Sequence, residues 1–257
     1  MKRLAALAVA VTGLALASTA FATHSWGGYH WARTSNPFTL KLGDNLSSGW
    51  KPYLATTSSD WSANPSVIYP GAGIVQVLQT TIVPGSSFKK RCGAVSGRVE
   101  VCNGSYGNNG WLGLAQIWLS GGHISQGTVK VNDTYFNLAQ YNNPAEKNHV
   151  MCQEVGHTFG LDHQDTSGAS LQTCMDYSSD PSSQHPNKHD YEELGIIYAH
   201  LDSTTTVSAA ATSPGNGKAQ RVRDDLWVED LGNGVRKFTF VYWVDRHATH
   251  GAPQVGD

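Results

Sequence analysis

The feature that most constrains this chain is the eleven-residue stretch QEVGHTFGLDH, residues 153–163. Gln153 and His157 are four residues apart, a spacing that puts two side chains on one face of an α-helix, about 40° apart around its axis. Gly160 then favours an exit from the helix, because glycine commonly ends helices. His163 follows in the turn beyond. The spacing predicts a helix over residues 145–159 that carries Gln153, Glu154 and His157 near its end.

Except at its first residue, this stretch fits the pattern HExxHxxGxxH, and Cys174-Met175-Asp176-Tyr177 follows soon after it. The combination resembles the metzincin clan of zinc endopeptidases. The resemblance covers residues 150–177 and extends more loosely through the helix-like segment 189–198. It implies an α+β fold: a metzincin-like single catalytic domain with a twisted mixed β-sheet, a backing helix, an active-site helix and a C-terminal helix.

The resemblance also implies a set of site residues. His157 and His163 would bind Zn²⁺, and Gln153 stands where the family has its first histidine ligand. Glu154 would act as the general base toward a metal-activated water. The implied activity is that of a secreted zinc-dependent endopeptidase, with a polypeptide as substrate.

The segment after the third ligand position supplies two further expected roles. Met175 would form an apolar floor under the metal, in the methionine turn of the clan. Tyr177 matches clan members in which a tyrosine binds the zinc or stabilises the oxyanion. Asp162 and Asp165 flank His163 and are candidates for carboxylates that orient the imidazole rings.

Gln153 leaves several alternatives open. Its amide oxygen is a weaker zinc donor than imidazole. His149, one helical turn earlier, could replace it, or the site could take a different metal. The metal site could also be lost, which would leave a catalytically inactive secreted protein that binds polypeptide without turnover, or a disulfide-stabilised surface protein. Cys152 is a poor replacement, since it lies about 140° around the helix from His157.

Composition and the first residues indicate export. Residues 1–22 have Lys2 and Arg3, an apolar run and an Ala-x-Ala cleavage site at Ala22, which is typical of a secretory signal peptide. No later segment has the roughly 20 apolar residues of a membrane span. The net charge of −2 favours neither nucleic acid nor an anionic membrane as a partner. We expect a secreted protein, extracellular or periplasmic.

Four cysteines in an exported chain predict two disulfides, for which three connectivities exist. Cys92 and Cys102 are close enough to close a small loop. Cys152 precedes Gln153 and Cys174 precedes Met175, so this pair would join the active-site helix to the methionine turn. We therefore expect Cys92–Cys102 and Cys152–Cys174.

The rest of the chain is divided by its patterning into a catalytic domain at 23–202, a linker at 203–219 and a C-terminal β-hairpin extension at 220–257. A helix capped by Asp44 or Ser47 and a closing helix at 187–200, with Leu201 on its inward stripe, are expected. Strands are predicted at 38–42, 74–78, 81–83, 98–102, 113–119 and 128–132. In the metzincin-like arrangement, an edge strand such as 113–119 would hold an extended substrate by backbone pairing.

Overall fold

The structure is a computed structural model that describes residues 23–86, 91–210, 215, 217–244 and 253. The expected signal peptide lies outside the described residues. The helices of the described part are α1 (Lys51–Trp61), α2 (Pro65–Ile68), α3 (Asp133–Phe136), α4 (Pro144–His157) and α5 (Lys188–Ile197). Its strands are β1 (His30–Trp31), β2 (Phe38–Asn45), β3 (Leu78–Pro84), β4 (Val99–Gly104), β5 (Trp111–Ser120), β6 (His123–Asn132), β7 (Gln220–Arg223), β8 (Leu226–Asp230) and β9 (Val235–Trp243).

These strands form one mixed sheet. Eight of them lie in the order β3-β2-β4-β6-β5-β9-β8-β7, and β1 pairs with β6 outside that order. β2, β3, β4 and β6 run parallel to one another, whereas β5 is antiparallel to both β6 and β9. A mixed sheet with separate helices confirms the α+β class expected from the sequence.

The strand predictions hold with one correction. Segments 74–78 and 81–83 were expected to be separate strands, but the structure has the single strand β3. Ile74 and Val77 are buried beside the core, and the Val77 carbonyl accepts a hydrogen bond of 3.0 Å from the Phe38 amide. Ile74 and Val77 are therefore buried just before the strand, whose register with β2 begins at Leu78. The expected pair of strands around the Gly121-Gly122 turn is present as β5 and β6.

The first helix starts differently from the prediction. Trp50 is the residue that precedes α1, and its side chain makes no capping hydrogen bond to the helix. The carboxylate of Asp44, one of the expected caps, instead accepts a hydrogen bond from the Leu46 amide at 3.0 Å. Pro52 lies in the first turn, where its missing N–H removes one of the donors that a cap would satisfy.

The other two long helices begin at asparagine caps. The Asn143 side chain accepts a hydrogen bond from the Glu146 amide at the start of α4, and Pro144 occupies the first turn. Asn187 forms a reciprocal capping box with Asp190 at the start of α5. Leu201, expected on the inward stripe of the closing helix, is 56 % exposed, because α5 ends at Ile197 before reaching it.

The C-terminal segment forms the predicted hairpin, with β8 and β9 antiparallel. β9 pairs with β5 from Trp111↔Trp243 to Ser120↔Val235. Phe240 on β9 belongs to the same hydrophobic core as α4 and the central strands. A hairpin that would be marginal alone is thus stabilised by the edge of β5.

Two disulfides, Cys92–Cys102 and Cys152–Cys174, join the pairs expected from the sequence. The second connects α4 to the segment that carries Met175. None of the helices in the described residues is long and apolar enough to cross a membrane.

Candidate metal site on helix α4

Helix α4 and the turn after it bring the residues of the 153–163 stretch together. Gln153, Glu154 and His157 lie in the last turns of the helix, and all three are buried. Gly160 has a φ of 101°, and a Cβ there would lie 2.1 Å from the Tyr29 carbonyl oxygen. Because of this positive φ and this close approach, only glycine fits at position 160. The turn directs His163 back toward His157.

The imidazole rings of His157 and His163 face each other through their Nε2 atoms, which are 3.0 Å apart. His157 Nδ1 is 2.9 Å from the Leu161 carbonyl oxygen. A carbonyl can only accept a hydrogen bond, so Nδ1 carries the proton and Nε2 a lone pair. Burial, followed by the neighbouring His163, lowers the pKa of His157 to about 3. His157 is therefore neutral at physiological pH, the state in which imidazole binds a metal.

His163 is oriented in a similar way by a carboxylate. Its Nδ1 lies 2.7 Å from Asp225 Oδ2, although the angle is poor for a linear hydrogen bond. A proton on Nδ1 would face this carboxylate and leave the Nε2 lone pair directed toward His157. Two lone pairs at 3.0 Å repel each other unless a second proton or a metal ion compensates them. With Zn–N bonds of about 2.0–2.1 Å, two ligand nitrogens of a tetrahedral site are roughly 3.3 Å apart, close to the separation observed.

The amide of Gln153 has a defined orientation. Its Nε2 donates hydrogen bonds of 2.8 Å to the carbonyl oxygens of both Cys174 and Asp176. Only the NH₂ group can donate to two carbonyls, so the oxygen is the other atom. Gln153 Oε1 is buried and makes no hydrogen bond within the described residues. The amide oxygen is thus the atom with which Gln153 could bind a cation.

Glu154 is fully buried. Burial raises the pKa of Glu154 well above its ordinary value; the Ala115 backbone opposes this shift, and the charge of Asp225 adds to it. The approach of Ala115 is not a well-formed hydrogen bond, since neither carboxyl oxygen has a partner of good geometry in the described part of the chain. Burial therefore favours the neutral, protonated form of the Glu154 carboxyl.

Met175 and Tyr177 lie where the turn after the motif meets the helix. A Cβ at Gly156 would be 2.6 Å from the Met175 sulfur, so this methionine packs directly against the backbone of α4. The Tyr177 ring lies 4.3 Å from that of His163. Its hydroxyl donates a 2.8 Å hydrogen bond to the Val241 carbonyl. Met175 thus packs against α4, and the Tyr177 hydroxyl is occupied by β9.

The C-terminal strands cover this group of residues. The Phe240 ring stacks on the His157 imidazole, with centroids 4.4 Å apart and an angle of 8° between the planes. Asp225, between β7 and β8, reaches His163 from the same segment. As a result, His157 is only 1 % exposed. The edge of β5, which was expected to hold a substrate, is paired with β9.

The carboxylate nearest His163 Nδ1 is Asp225, which the sequence did not suggest. Asp162 makes two hydrogen bonds of 2.6 Å with Arg223, and its carboxylate lies 3.7 Å from His163 Nδ1. Asp165 instead accepts a hydrogen bond from the Ser167 amide at 2.8 Å. Sequence reasoning missed Asp225 and Arg223, because nothing in their local sequence connects them with α4.

Two alternative ligands have other partners. His149 Nε2 lies 2.9 Å from the Asp176 carbonyl oxygen. Cys152 has no thiolate to offer, because it forms a disulfide with Cys174. The Gln153 amide oxygen, in contrast, has no hydrogen-bond partner within the described residues.

A scan against models of protein families found no match, and a search of curated proteins found no significant one. The chemistry of the site therefore has to be argued from its own geometry. The two imidazole nitrogens of His157 and His163 face each other, and the Gln153 amide oxygen has no hydrogen-bond partner within the described residues.

Proposed function

We propose that this protein is a secreted zinc-dependent endopeptidase of metzincin-like architecture, held in a covered state by its own C-terminal strands. The observation that carries the proposal is the convergence of the Nε2 atoms of His157 and His163 at 3.0 Å. Both rings have their Nδ1 atoms directed at acceptors. Metal-binding histidines are typically oriented by such contacts.

The surrounding fold agrees with the proposal. The backing, active-site and C-terminal helices that the resemblance implies have counterparts in α1, α4 and α5. The antiparallel strand β5 contacts α4 beside the ligand positions. A Cβ at Gly113 on β5 would lie 2.5 Å from Glu154 Oε1, so the strand passes directly over the proposed general base.

His157, His163 and the Gln153 amide oxygen would hold the metal, with Met175 beneath them. Bound zinc would supply a Lewis acid that acidifies a water molecule and polarises the scissile carbonyl. Glu154 would take the proton of that water and pass it to the leaving amine. Tyr177 would donate a hydrogen bond to the oxyanion once its hydroxyl leaves Val241.

The covered state is not competent for this chemistry. A general base must be ionised, but burial keeps the pKa of Glu154 high. The backbone edge that would pair with a substrate is paired with β9. We infer that strands β7–β9 act as an internal inhibitor. Cleavage or displacement within residues 203–219 would free the edge of β5, rehydrate Glu154 and release Tyr177.

The alternative function is a catalytically inactive secreted protein that binds polypeptide without turnover. The stacking of Phe240 on His157 favours the absence of turnover, because an aromatic ring permanently in that place would keep water away from the proposed metal position. Gln153 favours it as well, since a neutral amide is a weak zinc ligand.

Casein cleavage before and after a cut in the linker distinguishes the two functions. A specific protease site is inserted within residues 203–219, and metal content and chelator-sensitive cleavage are measured in intact and cut protein. We expect zinc in both forms and activity in the cut form only. The matched control is Glu154→Gln, which should retain zinc after cutting but lose activity.

Two other outcomes would contradict parts of the proposal. Equal activity of intact and cut protein would refute internal inhibition but retain the peptidase. A protein that takes up no zinc and cleaves nothing in either form would refute the peptidase and support the inactive binder.

A further inference from the structure

A second group of metal-binding side chains lies away from α4. His30, His123 and Asp202 each offer a ligand atom, and these three atoms lie within 4.8 Å of one another. His200 lies beside them, with its ring centroid 4.7 Å from that of His30. We call these four residues the clasp cluster. They do not take part in the site described above.

The fold brings the clasp cluster together from three distant segments. His30 on β1 and His123 at the start of β6 are register partners in the parallel β1–β6 pair. Register partners on neighbouring strands point to the same face of a sheet. Asp202 follows α5, and its backbone amide donates a 2.9 Å hydrogen bond to the Arg33 carbonyl.

The three histidines surround one carboxylate. Asp202 Oδ1 lies 3.2 Å from His123 Nε2, 3.4 Å from His30 Nε2 and 3.6 Å from His200 Nε2. In a tetrahedral zinc site with bonds of about 2.0–2.1 Å, ligand atoms are roughly 3.3 Å apart. The distances from the Asp202 oxygen to the three nitrogens are close to this ligand–ligand separation.

The tautomer of His30 also favours a cation. Its Nδ1 is 2.8 Å from the Gly28 carbonyl oxygen, so Nδ1 carries the ring proton. Nε2 of a neutral ring then presents a lone pair to the Asp202 carboxylate, from which it is 3.4 Å away. Two acceptors facing each other in a nearly buried position need a proton or a metal ion between them.

We propose that the clasp cluster is a second metal site, specific for a divalent transition-metal ion such as Zn²⁺. His30, His123 and Asp202 are its core ligands, and the more exposed His200 completes the shell. The second Asp202 oxygen accepts a 2.8 Å hydrogen bond from the Arg33 guanidinium, which leaves Oδ1 for the metal. Because imidazoles dominate and Arg33 balances the carboxylate charge, the site disfavours Mg²⁺ and Ca²⁺, which prefer several oxygen ligands.

A metal here would have a structural role. It would join the N-terminal segment, the β5–β6 turn and the chain after α5 at the point where the 203–219 segment begins. Bound metal would thus anchor the start of the connection to strands β7–β9. The site is partly open, since the His123 side chain is 32 % exposed, so an ion can enter without unfolding.

The test measures zinc stoichiometry and affinity of the full-length mature protein after chelation and titration with Zn²⁺ alone. Cobalt absorption spectra serve as a second readout. His123→Ala and His200→Ala remove ligands that are partly exposed and should fold normally. His185→Ala is the matched control, because this exposed histidine pairs with Asp60 away from the cluster.

We expect His123→Ala to remove one zinc equivalent or to weaken its binding by at least about 100-fold, more than the loss of an outer-shell partner costs. His200→Ala should weaken it less, and His185→Ala should change nothing. The proposal is overturned if His123→Ala leaves stoichiometry, affinity and the cobalt spectrum unchanged. It is also overturned if the control weakens binding equally, which would mean adventitious surface binding.

The variant His163→Ala distinguishes zinc binding at the α4 site from zinc binding at the clasp cluster. If both proposals hold, wild type binds two equivalents of zinc and each of His163→Ala and His123→Ala binds one. If only the clasp site exists, wild type binds one equivalent that His163→Ala retains and His123→Ala loses. The reverse pattern would retain the α4 site and refute the clasp site.

Discussion

Replacing Gln153 with alanine should reveal how much the stability of the site depends on one amide. Gln153 is fully buried, and its NH₂ group donates hydrogen bonds of 2.8 Å to the Cys174 and Asp176 carbonyls. After Gln153→Ala the Asp176 carbonyl keeps its contact with His149. Loss of its hydrogen bond from Gln153 therefore costs only about 0.5–1.5 kcal/mol. The Cys174 carbonyl loses its Gln153 donor in a buried place, at a cost of about 1–3 kcal/mol.

Together these losses predict that Gln153→Ala lowers the free energy of unfolding by about 1.5–4.5 kcal/mol. Urea unfolding in the presence of chelator measures this structural effect without a metal contribution. With an m value of about 3 kcal/mol per M, the upper end of the usual range, the midpoint should fall by about 1 M. A fall below about 0.2 M would refute the inference that this amide supports the turn at Cys174 and Asp176.

Zinc titration of the same protein tests the ligand role separately. Gln153→Ala should weaken zinc binding, and Gln153→His should tighten it, because imidazole is the stronger donor. The histidine variant should still unfold more easily without metal, since one ring N–H cannot donate to both carbonyls. His149→Ala is the matched control and should leave zinc affinity nearly unchanged. If His149 proves essential and Gln153 dispensable, the ligand assignment is wrong.

Three further predictions concern the surroundings of the site. Gly113→Ala should destabilise the protein by about 1–3 kcal/mol in urea unfolding, because its Cβ would lie 2.5 Å from Glu154 Oε1; an unchanged midpoint would contradict this close approach. Removing both Cys152 and Cys174, which are 22 residues apart, should cost about 3 kcal/mol and also weaken zinc binding, whereas removal of the other disulfide should leave zinc affinity intact. Burial raises the pKa of Tyr198. The contribution of Tyr198 to the free energy of unfolding is therefore complete below pH 10 and is smaller by about 1.4 kcal/mol at pH 11. In Tyr198→Phe this part of the alkaline loss should vanish, and an identical pH profile would disprove it.

Local sequence was sufficient to predict the parts of the site that lie within one helix and its ends. The placement of Gln153, Glu154 and His157 near one another requires only helical geometry. The Asn143 cap and the Gly160 turn set the limits of that helix. The C-terminal hairpin was also predictable, since its glycine turn and alternating pattern are local signals. The Cys152–Cys174 pair followed from its place beside the motif, and the Cys92–Cys102 pair from its short separation in the sequence.

Tertiary structure alone decided what lies against those residues. Asp225 approaches His163 and Phe240 stacks on His157 because β9 occupies the edge of β5. The sequence predicted a hairpin, but any free strand edge could have received it, since backbone pairing carries little sequence information. His30 and His123 meet for a similar reason: the register of β1 on β6 depends on the whole sheet and has no local signature. Periodicity determines which face of an element is apolar, whereas the long-range packing of those faces determines which polar groups meet.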